Sequence, residues 1–202
     1  MFDPLVEFNG NGPATSEDIT VCERQLKCQL PTDYVDFLNR QNGGEGFIGS
    51  DSYVILWAVN ELELFNREYE VGSYCPELLL IGSSGGGEAY AFDKRSTPWG
   101  VVQVPFIGMD YSLCEELASS FSEFIETLVQ DGDELLNESI KHARRNELAG
   151  NEVFEIQPII LGGHPADPSN KTVLTRQQHI QAVTYWNRQI RCLRKQSLKI
   201  VE

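Results

Sequence analysis

No apolar stretch in this 202-residue sequence approaches the ~20 consecutive residues that cross a bilayer, which argues against a membrane span. Cys-x-x-Cys pairs are also missing. The five cysteines (Cys22, Cys28, Cys75, Cys114, Cys192) are odd in number and scattered, so neither a zinc knuckle nor a disulfide framework is expected. They read most simply as small core hydrophobes, and a reactive thiol would need a base that the sequence does not identify. Histidine is scarce too. His142, His164 and His179 share no metal-ligand spacing, so no metal is expected. Basic residues are outnumbered 16 to 30, leaving a net charge of −14, which argues against nucleic acid and anionic lipid as partners. The opening Met1-Phe2-Asp3-Pro4-Leu5 lacks the basic and apolar runs of a signal peptide, so a cytoplasmic location is expected.

What is present is the composition of a folded protein, 41% apolar and 23% charged, with length enough for one full core and a C-terminal elaboration. The charge is uneven. Residues 1–150 hold 9 Lys+Arg against 26 Asp+Glu, whereas 151–202 hold 7 against 4. Residues 1–14, with two prolines and two glycines, read as an extended leader. Thr15 or Ser16 caps a first helix with Ile19, Cys22 and Leu26 on one face. Pro31 opens a second helix, carrying Tyr34, Phe37 and Leu38, that stops at Asn42-Gly43-Gly44.

The period then turns to alternation. Strands are expected at Tyr53–Trp57, Leu78–Ile81, Glu88–Phe92 and Gly100–Val104, with Phe106–Met109 a possible extension. A short helix at Glu61–Tyr69 interrupts them. Helices return from Ser120 and again near Leu135–Leu148. Val153–Ile160, with Pro158 inside, reads as an edge strand. Thr175 and Gln178 have capping-box spacing ahead of a helix striped by His179, Val183, Trp186, Ile190 and Leu193. The class is α+β, with a mostly antiparallel sheet of about five to six strands flanked by N-terminal and C-terminal helices. The expected organisation is a leader at 1–14, a main domain at 15–150, and an extension at 151–202 whose basic helix lies on the acidic body.

The segment Gly82-Ser83-Ser84-Gly85-Gly86-Gly87-Glu88 invites a phosphate-loop reading, which two features oppose. No lysine follows the glycines, and the alternating Glu88–Asp93 continues as a strand and supplies no helix N-terminus. Glu88 and Asp93 differ by an odd number and so leave a strand on opposite faces, which does not supply a hydrolase carboxylate pair. A packed, hydrogen-bonded role suits His179 better than a catalytic one. Trp99, between Pro98 and Gly100 in a turn, is a candidate exposed anchor.

Three pieces in order resemble the SUKH superfamily of Smi/Knr-like proteins. They are Leu30-Pro31-x-Asp33-Tyr34-x-x-Phe37-Leu38 with Asn42-Gly43-Gly44; Leu56-Trp57 with Glu61; and Ile81-Gly82 through Gly86-Gly87-Glu88-x-Tyr90-x-Phe92-Asp93. Ser120-Phe121-x-x-Phe124-Ile125 resembles the family's closing helix, and the resemblance covers about residues 15–130. Asp167-Pro168-x-Asn170-Lys171 and Tyr185-Trp186-Asn187 resemble a tail shared by some relatives. The resemblance implies a protein that is not an enzyme, uses no cofactor and binds a protein partner. In bacteria such proteins neutralise a toxin, often a basic nuclease; fungal relatives are regulatory hubs. On this reading the chain occludes a basic toxin, and the contact residues expected are Glu45 and Asp51 after the second helix, Glu88 and Asp93 around the glycine hairpin, and Trp99. The alternatives are a scaffold for an endogenous partner and, further off, a hydrolase.

Overall fold

A computed structural model describes residues 8–49, 52–130 and 149–199. Asp51 and the helix expected near 135–148 lie outside these residues.

Helix α1 (Ser16–Leu26) starts at a reciprocal capping box. The Thr15 hydroxyl accepts from the Asp18 N–H at 3.1 Å, and the Asp18 carboxylate accepts from the Thr15 N–H at 3.0 Å. Helix α2 (Thr32–Leu38) follows Pro31 and buries Tyr34, Phe37 and Leu38. These helices lie between the first two strands of an antiparallel sheet that runs in chain order through β1 (Phe8–Gly10), β2 (Gly44–Ile48), β3 (Ser52–Leu56), β4 (Leu78–Ser83), β5 (Glu88–Asp93), β6 (Gly100–Pro105) and β7 (Glu115–Ala118). Tyr90 and Phe92 of β5 face α2 and helix α5 (Phe121–Gln130), where Phe92 lies 5.2 Å from Tyr34 and Tyr90 lies 4.9 Å from Phe124, ring centre to centre. Such ring pairs add to the area they bury.

The sheet is weakest in its middle. Strands β3 and β4 share only the pairs Ile55–Ser83 and Leu56–Gly82 before they diverge. Helices α3 (Leu62–Glu68) and α4 (Val71–Tyr74) fill the gap. The Asn66 amide stands in for the missing strand: its Nδ2 donates to the Leu80 carbonyl at 2.8 Å, and its Oδ1 accepts from the Leu80 N–H at 2.9 Å. A second aromatic cluster, Trp57, Phe65, Tyr69 and Phe106, packs around this opening.

The C-terminal part forms a two-stranded hairpin, β8 (Asn151–Glu155) with β9 (Lys171–Thr175), and a long helix, α6 (Arg176–Lys199). The Thr175–Gln178 capping box opens α6 as its spacing predicts. Phe154, Ile180 and Val183 belong to the same apolar core as the sheet.

The α+β class and antiparallel sheet match the expectation, but there are more strands than expected. The sequence reading misses β1, β2, β7 and β9, the first three for local reasons. β1 is three residues long; β2 begins Gly-Glu-Gly with φ of 142° and 148° at its glycines; Glu115-Glu116-Leu117-Ala118 has no β-branched residue. Phe106–Met109 is mostly buried but not a strand, and the expected strand to Ile160 stops at Glu155, with a 3₁₀ turn at Ile159–Leu161 after Pro158. Gly82 and Ser83 belong to β4, so the hairpin loop is shorter than the glycine run suggests.

Candidate functional site

The glycine hairpin is a clamp built from its carbonyls. The Gly85 N–H donates to Ser83 Oγ, the Gly86 N–H to Ser84 Oγ, and the Ser84 N–H to the Glu88 carbonyl. Those donors are therefore turned inward, whereas a phosphate cradle needs them free. The outward groups are acceptors: the Gly85 carbonyl takes the Val153 N–H at 2.9 Å, and the Gly87 carbonyl takes the Phe106 N–H at 3.1 Å. The first bond ties the hairpin to β8, so the C-terminal extension covers part of the surface that the sequence suggests a partner would use.

Two buried polar groups anchor that cover. Glu152 is fully buried, its carboxylate accepts from Ser83 Oγ at 2.9 Å through both oxygens, and Arg176 Nε stands 4.0 Å away. Burial raises the Glu152 pKa to about 7, against the opposing pull of Ser83 and Arg176. His179, 1% exposed, pairs through Nδ1 with the Tyr69 hydroxyl at 2.9 Å, and burial lowers its pKa to about 4. Asn187, missed by the sequence reading as a polar anchor, closes the seam. Its Oδ1 accepts from the Gly108 N–H at 2.6 Å and its Nδ2 donates to the Phe106 carbonyl at 2.8 Å. Its sequence signals are its place in the Tyr185-Trp186-Asn187 segment and a polar residue one position off an apolar stripe. On the surface, Arg188 pairs with Glu70, and Arg194 with Asp110 at 3.5 Å, so basic residues of α6 do meet acidic residues of the body.

The expected contact residues do not form one patch. Glu45 is in β2, not a loop, and both its carboxylate oxygens accept from the Gly150 N–H at 3.1 Å, at the root of the extension. Asp93 closes β5 and is held by Arg95, whose Nη2 lies 2.6 Å from Asp93 Oδ2; those hydrogen bonds lower its pKa. The unbroken β5–β6 register sets Glu88 and Asp93 on opposite faces, about 17 Å apart along the strand at ~3.3 Å per residue. Trp99 is only partly exposed and packs on the core, 6.2 Å from the Phe92 ring, which corrects the picture of a free loop anchor. Glu88 differs from all of these. It is half-buried, and among the described residues no hydrogen bond or ion pair reaches its carboxylate. Burial, with Glu115 and Glu155 nearby, raises its pKa to about 7.

Cys22 and Cys75 are buried with pKa values raised to about 12, while Cys192 is exposed and is not the core residue expected. His164 accepts from the Ala166 N–H in an exposed turn, and His142 lies outside the described residues. Among the described residues no group of His, Cys, Asp and Glu could hold a metal ion. No helix among them is long and apolar enough to cross a membrane.

Stability should report the buried groups directly. A raised carboxyl pKa stabilises the fold below the unfolded value near 4.5 and loses that contribution as pH rises through 7; Glu88 and Glu152 both act this way. His179 acts in reverse, because its lowered pKa loses stability as pH falls from 6.5 towards 4. Between pH 4.5 and 6.5 one carboxyl therefore offsets the histidine, and the other gives a net decline with rising pH. Glu152→Gln keeps an acceptor for Ser83 and removes the buried charge, a term of about 3 kcal/mol at full ionisation. Thermal melts should show a downward slope for the parent and a nearly level line for Glu152→Gln. Equal slopes would mean that Glu152 is not the group titrating.

A family model described as the SMI1 / KNR4 family (SUKH-1) matches residues 13–127, more than half of the chain, from the leader's end to the body of α5. No curated protein matches the chain. The matched span contains α1, α2, the strands β2–β7 and the glycine clamp, and it ends before the extension. The chain thus belongs to the SMI1 / KNR4 family (SUKH-1), a family of immunity-type, generally non-catalytic domains that act through protein–protein contacts.

Proposed function

We propose that this chain is an immunity protein that neutralises a basic toxin domain by occluding it, with no covalent step. The family membership carries the reading. The charge supports it. A nuclease must bind phosphates and so presents a basic face, and an acidic inhibitor finds such a face faster than a neutral one would. Glu115 and Glu116 lie on the edge strand β7 and Glu88 on β5, two strands inside it, and among the described residues no cation pairs with them.

The test is co-expression. In the native genome an immunity gene follows its toxin gene, so the last domain of the large protein encoded immediately upstream should kill a bacterial host when expressed alone. It should become harmless when this chain is expressed with it. A toxic upstream domain that this chain fails to silence would sink the reading, and a native-host pull-down returning one endogenous regulator would replace it with the scaffold role.

A further inference from the structure

We propose that the crevice between the glycine hairpin and the C-terminal extension docks a protein segment presenting an apolar side chain flanked by lysine or arginine. The proposal rests on the protein-binding reading above and names the chemistry of the partner's contact.

Apolar groups line most of the crevice. Phe106 and Ile107 flank one side, Phe154, Ile159 and Ile160 the other, around roughly 70 Å³ of open space, which is room for an inserted side-chain tip rather than a whole cofactor. At the rim, three isoleucines within five residues stay in water: Ile156 is 52% exposed, Ile159 51% and Ile160 45%. Single exposed apolar residues are ordinary, but a group of them beside an apolar cleft marks an interaction surface.

The turn that carries them is held rigidly. Asn170 accepts from the Gln157 N–H at 2.7 Å and donates to the Gln157 carbonyl at 2.9 Å, while its own carbonyl takes the Ile156 N–H at 2.9 Å. Asp167 caps the Ser169 N–H at 2.8 Å, which shapes the approach to Asn170. Gly163 passes so close to the Gln157 carbonyl that an added Cβ would lie 1.9 Å from its oxygen. The Asp167-Pro168-Ser169-Asn170-Lys171 segment thus has a role: it fixes the isoleucine turn before any partner arrives. Preorganisation of that kind lowers the ordering cost of binding.

The charge selects the occupant. Glu88 lines the crevice and Glu155 lies beside it, with Glu115 close enough to act on Glu88. Lys171 offsets one of the three, at 3.5 Å from Glu155. His179, from α6, also lines the crevice but stays neutral above about pH 4. A neutral apolar segment would leave Glu88 half-buried and unpaired. A lysine or arginine lays its aliphatic stem along the isoleucines and brings its charge to Glu88.

The test uses the full chain, isotopically labelled for NMR, and two capped peptides. One is Arg-Lys-Leu-Phe-Lys-Arg; in the other, glutamate replaces each basic residue. The basic peptide should shift the amides of Gly86–Glu88, Phe106–Ile107 and Phe154–Ile160 saturably, and the acidic peptide should not. Glu88→Gln and Ile159→Ser, whose melts should stay cooperative, should each weaken binding roughly tenfold. Binding should also weaken as pH drops from 8 to 6, as Glu88 takes up a proton. Saturable shifts on another part of the acidic body would overturn the crevice while leaving an acidic binder intact. Equal binding of both peptides, or of neither, would overturn the proposed chemistry. The immunity role stands or falls separately, on the co-expression result.

Discussion

A chain cut after Gly150 should fail to give a cooperative, soluble fold, although the family match ends well before that point. The extension is not an ornament on a finished domain. It contributes Phe154, Ile180, Val183 and Ile190 to buried positions, and burying four such side chains stabilises by roughly 8 kcal/mol in all. That is comparable with the ~5–15 kcal/mol that holds a typical domain together. The cut would also bare Phe106 and Tyr69, both fully buried in the intact chain, and would strip the Asn187 bonds from the Phe106 carbonyl and the Gly108 N–H. The expected readout is an inclusion-body product that, once refolded, binds a hydrophobic dye and melts without a sharp transition. A truncated chain that stays monomeric and melts within a few degrees of the full length would show that the main domain is self-sufficient.

Gly82→Ala should be nearly as damaging, through one atom. A Cβ at Gly82 would stand 2.1 Å from the Ile55 carbonyl oxygen and 3.2 Å from the Leu56 Cα, all backbone of the neighbouring strand. Backbone cannot swing aside as a side-chain tip can. Relief would require prising apart Ile55–Ser83 and Leu56–Gly82, the two pairs that join β3 to β4. The cost should reach at least ~3 kcal/mol, and for a chain of this size Tm should fall by roughly 10 °C. Gly86→Ala is the control. Its added methyl would meet only Ser84 Oγ, at 3.5 Å, so that variant should melt like the parent. If both variants melt alike, close approach at Gly82 is not what demands glycine there.

The sequence is most legible where local chemistry and tertiary packing agree. Thr15 as the cap of α1, the Thr175 capping box, the α1 and α3 stripes, and the β5 strand all appear in the fold, although β5 is buried on both faces. It is least legible where a residue's meaning comes from something far along the chain. Glu45 looks like a loop acid because Asn42-Gly43-Gly44 ends a helix, yet Gly44 also begins a strand, and Glu45 is engaged by Gly150. Asp93 looks free until Arg95, two residues on, is seen to fold back onto it. Glu152 carries no sequence mark of burial, since its pairing with Ser83 spans 69 residues. In the sequence, Glu88 reads as an acid beside the glycine hairpin at the start of a strand. What the sequence did not convey is that the extension would build an apolar crevice beside it.

The extension's long-range bonds also bear on how the chain is made. The meander joins neighbours in sequence, so its strands can pair in order as they leave the ribosome. The seam cannot close so early. Tyr69 waits 110 residues for His179, and the Phe106 carbonyl waits 81 for Asn187. Through that interval the second aromatic cluster stands open to water on an otherwise assembled sheet. Newly made chains are thus at greatest risk of sticking to one another just before the last helix emerges, and substitutions that slow the docking of α6 should lower the yield of soluble protein more than they lower its final stability.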